Sequence, residues 1–406
     1  MTRVEDGPTG ERPTLLVLTS TYPRWVGDHE PGFVHELCRR LAADFDVVVV
    51  APSAPGAATR ECMDGVDVHR FRYAPAAAET LVNDGGIVGN LRRSRWKFAL
   101  LPGFFAMQAW TAWRITRQRR VAAIHAHWLV PQGLICAVLR RTVWRRIPLV
   151  VTSHGSDLFA LKGPVFDAMR RFVVGASAAV AVVSRGMRDA LVAQVGERTP
   201  IHVAPMGVDM TSRFVPGDES RSIDEILFVG RLMEVKGLHH LVDAMPAILA
   251  RRPDAFLTVV GFGPEEARLR AQVEDLGLGD KVRFVGPVAQ AELPSYYRRA
   301  AVLVAPSVQL RAGDQEGLGL VTIEAMACGC PVVVSDLPTV RDAVDGTPAV
   351  RVMPGDTGAI ARGVLDVLSS PATHAISPAQ RATLVARFGW DAVAARYVDL
   401  LRSAMR

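Results

Sequence analysis

Residues 226–260 read ILFVGRLMEVKGLHHLVDAMPAILARRPDAFLTVV, with two short apolar runs on either side of a helical stretch. The runs Ile226–Val229 and Phe256–Val260 are rich in β-branched residues and have the length of buried strands. Two such strands joined by a helix form a β-α-β unit, in which the strands are parallel. This stretch therefore predicts an α/β fold with a parallel sheet.

The same alternation continues in both directions along the chain of 406 residues. Upstream, seven apolar runs predict strands at Leu15–Thr19, Val47–Ala51, Val66–Phe71, Ala122–Ala126, Leu149–Thr152, Ala179–Val183 and His202–Ala204. Downstream, four more follow at Val282–Val285, Val302–Ala305, Val332–Ser335 and Ala349–Val352. The predicted fold is α/β, with two Rossmann-like, doubly wound parallel-sheet domains facing a central cleft.

The domain boundaries follow from the point where the second series of strands begins. Residues 209–222 are polar and contain Pro216, Gly217 and three acidic residues, so we assign them to a linker. The N-terminal domain is then expected over residues 1–208 and the C-terminal domain over residues 223–389.

Composition and charge exclude several classes of protein. The chain has 47 Lys and Arg against 41 Asp and Glu, and the net charge of +6 is too small for a dedicated nucleic-acid binder. The five cysteines form no C-x-x-C pair, which favours a reducing location. The N-terminal sequence MTRVEDGPTGERP lacks the apolar core of a signal peptide. We therefore expect a cytoplasmic protein with no nucleic-acid partner.

Residues 311–336, RAGDQEGLGLVTIEAMACGCPVVVSD, contain the densest group of chemically active residues. Gly317 and Gly319 precede an apolar helix, where backbone N–H groups can approach a diphosphate. Glu324, inside that helix, would be partly buried and would need a partner such as a pair of hydroxyls. A solvent-facing glutamate is the alternative, and the spacing alone leaves it open.

Two cations follow the strand Ile226–Val229 directly. Arg231 and Lys236 come after the carboxyl end of a parallel strand, where they could neutralise a diphosphate leaving group. A solvated basic turn is the alternative. Gly261 and Gly263 do not complete a dinucleotide fingerprint, because the third glycine is missing, and the chain has no GxxxxGK[ST] motif. Nucleotide hydrolysis at a P-loop is therefore excluded.

Together these motifs resemble a known family. The sequences GRLMEVKG at residues 230–237, EGLG at 316–319 and EAMACGCPVV at 324–333 resemble the donor-binding signature of family 4 retaining glycosyltransferases. In the first half, HGSD at residues 154–157 and PMGVD at 205–209 resemble that family's His-Gly-x-Asp and Pro-x-Gly-Val-Asp elements. The family has the two-Rossmann-domain architecture called GT-B, with an N-terminal acceptor domain and a C-terminal nucleotide-sugar domain.

The resemblance implies a role for each matching side chain. Arg231 and Lys236 would hold the nucleotide diphosphate, and Glu324 would bind the ribose hydroxyls. Glu316 would bind hydroxyls of the donor sugar, and His154 would lie over the reacting face of that sugar. His154, Glu316, Arg231 and Lys236 are thus the candidate catalytic residues.

The resemblance also implies surfaces built largely from backbone. The residues that would face the sugar and phosphate are Gly317, Leu318 and Gly319, and those that would line the base are Gly263, Val285 and Pro287. Gly32 and Phe33 would begin a helix near the donor phosphate or the acceptor. The loop at residues 21–33 departs from the family here, because only Gly32 stands where many members have two glycines. A final helix, Trp390–Met405 within residues 390–406, would cross back to the N-terminal domain.

The implied enzyme is a retaining hexosyltransferase that needs neither a metal ion nor another cofactor. It would move a hexose from a GDP-mannose or UDP-glucose type of donor to a hydroxyl of a glycan or lipid-linked acceptor. Two alternatives are a sugar-nucleotide epimerase of similar shape and a non-catalytic nucleotide-sugar-binding protein. The latter is less favoured because all four polar residues of the donor signature are present.

Two patterns have the spacing of metal ligands. Asp44 and Asp46 form a D-x-D pair, but they precede an apolar strand, whereas a metal site would follow one. His125 and His127 alternate on one face of a strand, a spacing that can bind zinc, but no third ligand accompanies them. We interpret the aspartates as a helix-to-strand turn and the histidines as structural or acceptor-contacting, and we expect no metal site.

Charge is distributed unevenly in the first half. Residues 85–156 contain no Asp or Glu but many arginines, concentrated at residues 92–120 and 140–146. Within them, Phe98–Trp113 is uncharged, aromatic and too short to span a bilayer. We hypothesise that the basic region 92–120 docks on the anionic cytoplasmic face of a membrane, where the enzyme reaches a lipid-linked acceptor. A helix packed on the sheet with a solvated basic rim is the alternative.

Overall fold

The computed structural model of the protein describes residues 12–25, 28, 32–82, 86–197, 199–311 and 313–406. The segment 1–11, on which the expected absence of a signal peptide depends, and part of the loop at residues 21–33 lie outside the described residues.

The strands are β1 (Thr14–Leu18), β2 (Asp46–Pro52), β3 (Arg60–Met63), β4 (Val66–Phe71), β5 (Val121–His127), β6 (Leu149–Ser153), β7 (Ala179–Val182), β8 (Ile201–Val203), β9 (Glu225–Val229), β10 (Phe256–Val260), β11 (Val282–Gly286), β12 (Val302–Ala305), β13 (Val332–Ser335) and β14 (Val350–Val352). The helices are α1 (Phe33–Leu41), α2 (Gly86–Arg93), α3 (Leu101–Gln118), α4 (Leu134–Thr142), α5 (Ser156–Phe159), α6 (Pro164–Ala176), α7 (Arg185–Val195), α8 (Leu238–Leu249), α9 (Glu266–Asp275), α10 (Leu293–Arg299), α11 (Leu320–Ala327), α12 (Arg341–Val344), α13 (Thr357–Ser369), α14 (Pro378–Phe388) and α15 (Trp390–Met405).

The strands form two sheets, one in each half of the chain. The first has the order β3-β4-β2-β1-β5-β6-β7-β8, and the second has the order β11-β10-β9-β12-β13-β14. The order reverses between β1 and β5 and again between β9 and β12, as it does in doubly wound folds. The predicted α/β class with two Rossmann-like domains is confirmed.

Burial on both faces of the sheet explains why the strands could be predicted from the sequence. Val48 and Val49 are neighbours in β2 and point to opposite faces, and both are fully buried. In a parallel sheet, crossover helices cover both faces, so the strands are continuous apolar runs. The predicted strands are found with ends shifted by at most one residue.

The prediction was wrong about one edge of the first sheet. β3 pairs antiparallel with β4, so this sheet is mixed and has a strand that the sequence analysis did not find. The sequence of β3 is RECM, which has no β-branched residue. An edge strand is paired on one side only, and a short polar one produces no apolar run.

The last helix packs on the first domain, although it follows the whole second domain in the chain. α15 lies against α1, β5 and β6. The Tyr397 hydroxyl donates to the Ala204 carbonyl oxygen at 2.8 Å, and Leu401 is fully buried. Trp390 packs so closely on Gly207 that a Cβ there would lie 2.4 Å from the indole ring. α15 is therefore part of the first domain's core.

Candidate active site

A cleft of about 550 Å³ lies outside the carboxyl ends of the strands of both domains. Both halves contribute to its walls, with Phe33, Trp128, Asp157, Arg231, Pro264 and Asp314 among the lining residues. Ligands of open α/β sheets bind at this end, and the volume is that of a typical small-molecule site. The cleft is therefore the candidate active site.

Two glycine turns hold Arg231 at the edge of the cleft. Gly261 follows β10 with a φ of +132°, and a Cβ there would lie 1.9 Å from the carbonyl oxygen of Gly230. A Cβ on Gly263 would lie 2.3 Å from the carbonyl oxygen of Leu232. Only glycine allows the turns after β9 and β10 to approach this closely. The guanidinium of Arg231 is consequently carried on a rigid pair of turns.

Lys236 and Glu316 form an ion pair between the turn after β9 and the loop before α11. The other carboxylate oxygen of Glu316 accepts from the Gly317 N–H at 3.1 Å, and the Thr339 hydroxyl donates to the Glu316 carbonyl oxygen at 2.6 Å. Burial acts to raise the pKa of Glu316, but the Lys236 ammonium and the backbone N–H groups outweigh it and lower that pKa. Glu316 is therefore an oriented carboxylate at neutral pH.

Glu324 is buried in α11, which begins after Gly319 at a φ of +80°. Its carboxylate accepts from the Tyr297 hydroxyl of α10 at 2.8 Å. Burial raises the pKa of Glu324 to about 7, and the hydrogen bond from Tyr297 offsets only part of this. The alternative of a solvent-facing glutamate is therefore wrong.

His154 lies between two aromatic side chains. Its ring centre is 5.0 Å from that of Phe33, the first residue of α1, and 4.8 Å from that of Trp128. Burial lowers the pKa of His154 to about 3, with a further contribution from His125. His154 is thus a neutral imidazole at physiological pH, and it can act by hydrogen bonding but not by charge.

The loops that carry His154 and Glu316 meet at the domain boundary. A Cβ on Gly317 would lie 2.8 Å from the carbonyl oxygen of His154. Across the same boundary, the Ser184 hydroxyl donates to the Gly317 carbonyl oxygen at 2.8 Å. The structure therefore brings the backbone of His154 against the loop that carries Glu316, which is paired with Lys236.

The other candidate site residues lie in three different parts of the fold. Gly32 caps α1, its carbonyl oxygen accepting from the Glu36 N–H at 2.8 Å, while Leu318 is buried behind the glycines on either side of it. Val285 is half-buried near the end of β11, and Pro287 is exposed after it, outside the described lining of the cleft. Contact of these last two residues with the base stays a prediction.

The sequence analysis assigned no role to several residues that hold the site in place. Asp157 is buried and accepts from the Leu129 N–H at 2.6 Å and the Ser153 hydroxyl at 3.0 Å, which fixes the loop around His154. Trp128 has a φ of +73°, a rare value for a bulky residue. The motif HGSD pointed to Asp157, but no local signal pointed to Trp128 or to Ser184.

Both aspartates of the D-x-D pattern pair with arginines, and His125 and His127 each contact another side chain through one ring nitrogen. Asp44 accepts from Arg402 at 2.6 Å, and Asp46 lies 3.4 Å from Arg119, at the amino end of β2. Within the described parts of the chain, no group of three or more His, Cys, Asp or Glu side chains could hold a metal ion.

Replacement of Asp46 by alanine is expected to change kcat/KM for transfer by less than about twofold and stability by about 0.5 kcal/mol or less. Its ion pair is at the surface, at the end of the sheet opposite to the cleft. Steady-state kinetics and thermal unfolding test this. A complete loss of activity in a folded Asp46→Ala variant would mean that the D-x-D pair binds a metal after all.

Comparison with known proteins agrees with this geometry. Residues 33–212 match the profile of Glycosyltransferase Family 4, and residues 219–383 match that of Glycosyl transferases group 1. The GDP-mannose-dependent alpha-(1-6)-phosphatidylinositol monomannoside mannosyltransferase of Mycolicibacterium smegmatis is 32% identical over 284 residues, 67% of this chain and 74% of that protein. The chain belongs to glycosyltransferase family 4. This glycosyltransferase is also 30% identical to D-inositol 3-phosphate glycosyltransferase 1 of Catenulispora acidiphila, over 97% of this chain and 95% of that protein.

The fold of this glycosyltransferase is GT-B. Sucrose-phosphate synthase from Thermosynechococcus elongatus superposes with a TM-score of 0.77 at 24% identity, covering 97% of this chain and 99% of that one. Family membership and fold favour a glycosyl transfer enzyme over both alternatives, the epimerase and the non-catalytic binding protein.

Proposed function

We propose that this glycosyltransferase transfers a hexose, with retention of anomeric configuration and without a metal ion, from a GDP-mannose or UDP-glucose type of donor to a lipid-linked acceptor. The observation that carries the proposal is the Lys236–Glu316 pair, whose loop contacts the backbone of His154 where the two domains meet. It combines a cation suited to a leaving diphosphate with a carboxylate suited to sugar hydroxyls.

The chain's own charges would stabilise the departing diphosphate. When the bond between the sugar and the diphosphate breaks, negative charge accumulates on the leaving oxygen. Arg231 and Lys236 supply positive charge, and the start of α11 supplies backbone N–H groups after Gly319. The acceptor hydroxyl would attack from the same face that the diphosphate leaves, which preserves the anomeric configuration. His154, being neutral, would contribute a hydrogen bond on that face.

The pKa of Glu324 gives this donor site a pH dependence. If the carboxylate accepts from two ribose hydroxyls, only its ionised form binds the donor well. Because that pKa is raised to about 7, donor affinity should rise with pH up to about 7 and level off above it. Between pH 8 and pH 6 we expect affinity for a nucleotide sugar to fall by about tenfold.

Calorimetric titration with a nucleotide sugar measures this change in donor affinity. Because the diphosphate diester of the ligand does not titrate near neutral pH, the pH dependence comes from the protein. The variant Glu324→Gln should bind more weakly and should lose the pH dependence between pH 6 and pH 8. If Glu324→Gln kept the wild-type pH profile, the titrating group would be another residue.

A lipid-linked acceptor is supported by one surface of the first domain. Trp96, Phe98 and Trp110 are each 54% exposed, in or next to α3. The opposite face of α3 buries Phe104 and Ile115, so this helix packs on the sheet and still leaves aromatic rings outside. Arginines flank these rings along the chain, at residues 92, 93, 95, 114 and 117, a combination that suits an anionic bilayer surface. No helix in the described ranges is long and apolar enough to cross a membrane.

The name of the Mycolicibacterium smegmatis relative adds weight to this choice of substrates, because it specifies a GDP-mannose donor and a phosphatidylinositol mannoside acceptor. The test is to incubate the protein with radiolabelled GDP-mannose, UDP-glucose and other nucleotide hexoses, with bacterial lipid extracts, with and without chelator. Label in the lipid phase from one donor, unaffected by chelator, is the expected result. Label found only in water-soluble products would overturn the lipid acceptor, and loss of transfer with chelator would overturn metal independence.

Membrane docking has its own test, which is sedimentation with vesicles of phosphatidylglycerol or of phosphatidylcholine. The protein should sediment with the anionic vesicles at low salt and much less at high salt. Replacing Trp96 and Trp110 by serine should reduce binding, whereas Ile223→Ser, which removes an exposed apolar side chain of the second domain, should not. Absence of binding to anionic vesicles at low salt would refute the docking proposal.

A further inference from the structure

A second histidine lies directly behind His154. His127, the last residue of β5, is fully buried, and its Nδ1 is 2.9 Å from Nε2 of His154. The two rings are nearly parallel, with an angle of 13° between their planes and 5.2 Å between their centres. A hydrogen bond between two imidazole nitrogens requires that one be protonated and the other not.

Both rings carry a single proton. Burial lowers the pKa of His154 to about 3, and burial together with His125 and His154 holds the pKa of His127 well below its ordinary value. Each ring therefore has one N–H and one bare nitrogen. Two arrangements remain, and they differ in which histidine donates.

The surroundings of His127 distinguish these arrangements. Its Nε2 is buried and has no hydrogen-bond partner among the described residues. If His154 donated, the only proton of His127 would be on this Nε2, as a buried N–H without an acceptor. If His127 donates from Nδ1, its Nε2 is a bare nitrogen, and His127 has no buried N–H group without an acceptor. Buried N–H groups without an acceptor are rare in proteins, so donation by His127 is favoured.

We infer that His127 is a positioning residue that donates from Nδ1 to Nε2 of His154 and thereby fixes His154 as the tautomer whose Nδ1 carries the proton. Nδ1–H is then the available donor of His154, on a half-buried ring beside Phe33 and Trp128 at the cleft. This inference rests on the proposed function in one respect, because it makes His154 a hydrogen-bond donor toward an oxygen of the sugar.

The ring centre of His125 is 4.3 Å from that of His127, but its hydrogen-bond partner is a different residue. Its Nε2 is 2.8 Å from the Thr152 hydroxyl, and its own buried Nδ1 has no partner in the described structure. His125 therefore contacts Thr152 and makes no hydrogen bond to His154. It offers a matched control, a buried histidine of the same strand whose removal leaves the bond between His127 and His154 intact.

The direct test is long-range ¹H–¹⁵N correlation spectroscopy of the ¹⁵N-histidine-labelled protein without substrate, in which nitrogen shifts identify the protonated nitrogen. We expect protonated Nδ1 in both His127 and His154. A proton on Nε2 of His154 would overturn the inference. Because no substrate is present, this measurement is informative even if transfer activity is never found, and it separates failure of the inference from failure of the proposed function.

Two variants at His127 then test its consequence. His127→Phe keeps a ring but removes the donor, and it should lower kcat by about 10- to 100-fold with a smaller change in the donor KM. His127→Asn places an amide N–H near the position of Nδ1 and should recover much of that loss. His125→Phe should leave the His154 tautomer unchanged. The positioning role is refuted if His127→Phe folds and keeps wild-type kcat. It is also refuted if the Asn variant is at least as stable as the Phe variant and yet recovers no activity.

Discussion

Replacing Lys236 by alanine is expected to lower kcat/KM for hexose transfer by about 100- to 1,000-fold. The substitution removes the ammonium that faces Glu316, and under the proposed function it also removes a positive charge from the leaving diphosphate. Binding of a nucleoside diphosphate should weaken as well. Steady-state kinetics measure the first effect, and the rise in melting temperature on adding the diphosphate measures the second.

The controls separate lost chemistry from lost stability. Lys281→Ala removes a lysine of the same domain whose ammonium donates to the Pro253 carbonyl oxygen at the surface, and its activity should stay within about twofold of wild type. In Lys236→Ala, Glu316 is left half-buried without its cation, which costs stability. Adding Glu316→Gln should restore the melting temperature but not the activity. A Lys236→Ala variant with more than about a tenth of wild-type activity would contradict the assignment.

Replacing Glu316 by glutamine is expected to lower kcat by about 100-fold or more, while nucleoside diphosphates continue to stabilise the protein. The amide keeps the size of the side chain but removes the negative charge that accepts strongly from sugar hydroxyls. Lys236 would lose its ion-pair partner and remain available to the diphosphate. The two variants should therefore differ: Lys236→Ala loses diphosphate binding and transfer, whereas Glu316→Gln loses transfer alone.

Comparison of two ligands makes this difference measurable. The nucleotide sugar should stabilise the wild type more than the nucleoside diphosphate does, and Glu316→Gln should abolish the difference. Glu266→Gln is the matched control, because Glu266 is paired with Arg270 on the surface of α9. If the nucleotide sugar kept its additional stabilising effect in Glu316→Gln, Glu316 would not contact the sugar.

Parallel strands were predictable because burial on both faces selects continuous apolar runs, as in β10 and β12, whose ends were predicted without error. β3 was not predicted, because it is an edge strand with the sequence RECM, and an edge strand does not need a continuous run of apolar residues. At the site, the family motifs predicted which residues would come together, and the structure brings His154 and Glu316 to the same domain boundary.

What the sequence could not predict are partners that are distant in the chain. Burial of Glu324 called for a hydroxyl partner, but its identification as Tyr297, 27 residues away, needed the packing of α10 on α11. His127 and His154 are also 27 residues apart, at the carboxyl ends of the adjacent strands β5 and β6. Which nitrogen meets which depends on ring orientation, and side-chain rotation leaves no trace in residue spacing.

The position of α15 has a consequence for how the protein is made. A ribosome synthesises the first domain's strands before any of the second domain, but α15 is synthesised after both. Until then, the surface of the first domain that receives Tyr397 and Leu401 has no cover, and its apolar groups face water or a chaperone. The first domain is therefore expected to complete its core only after the second domain and α15 have been synthesised.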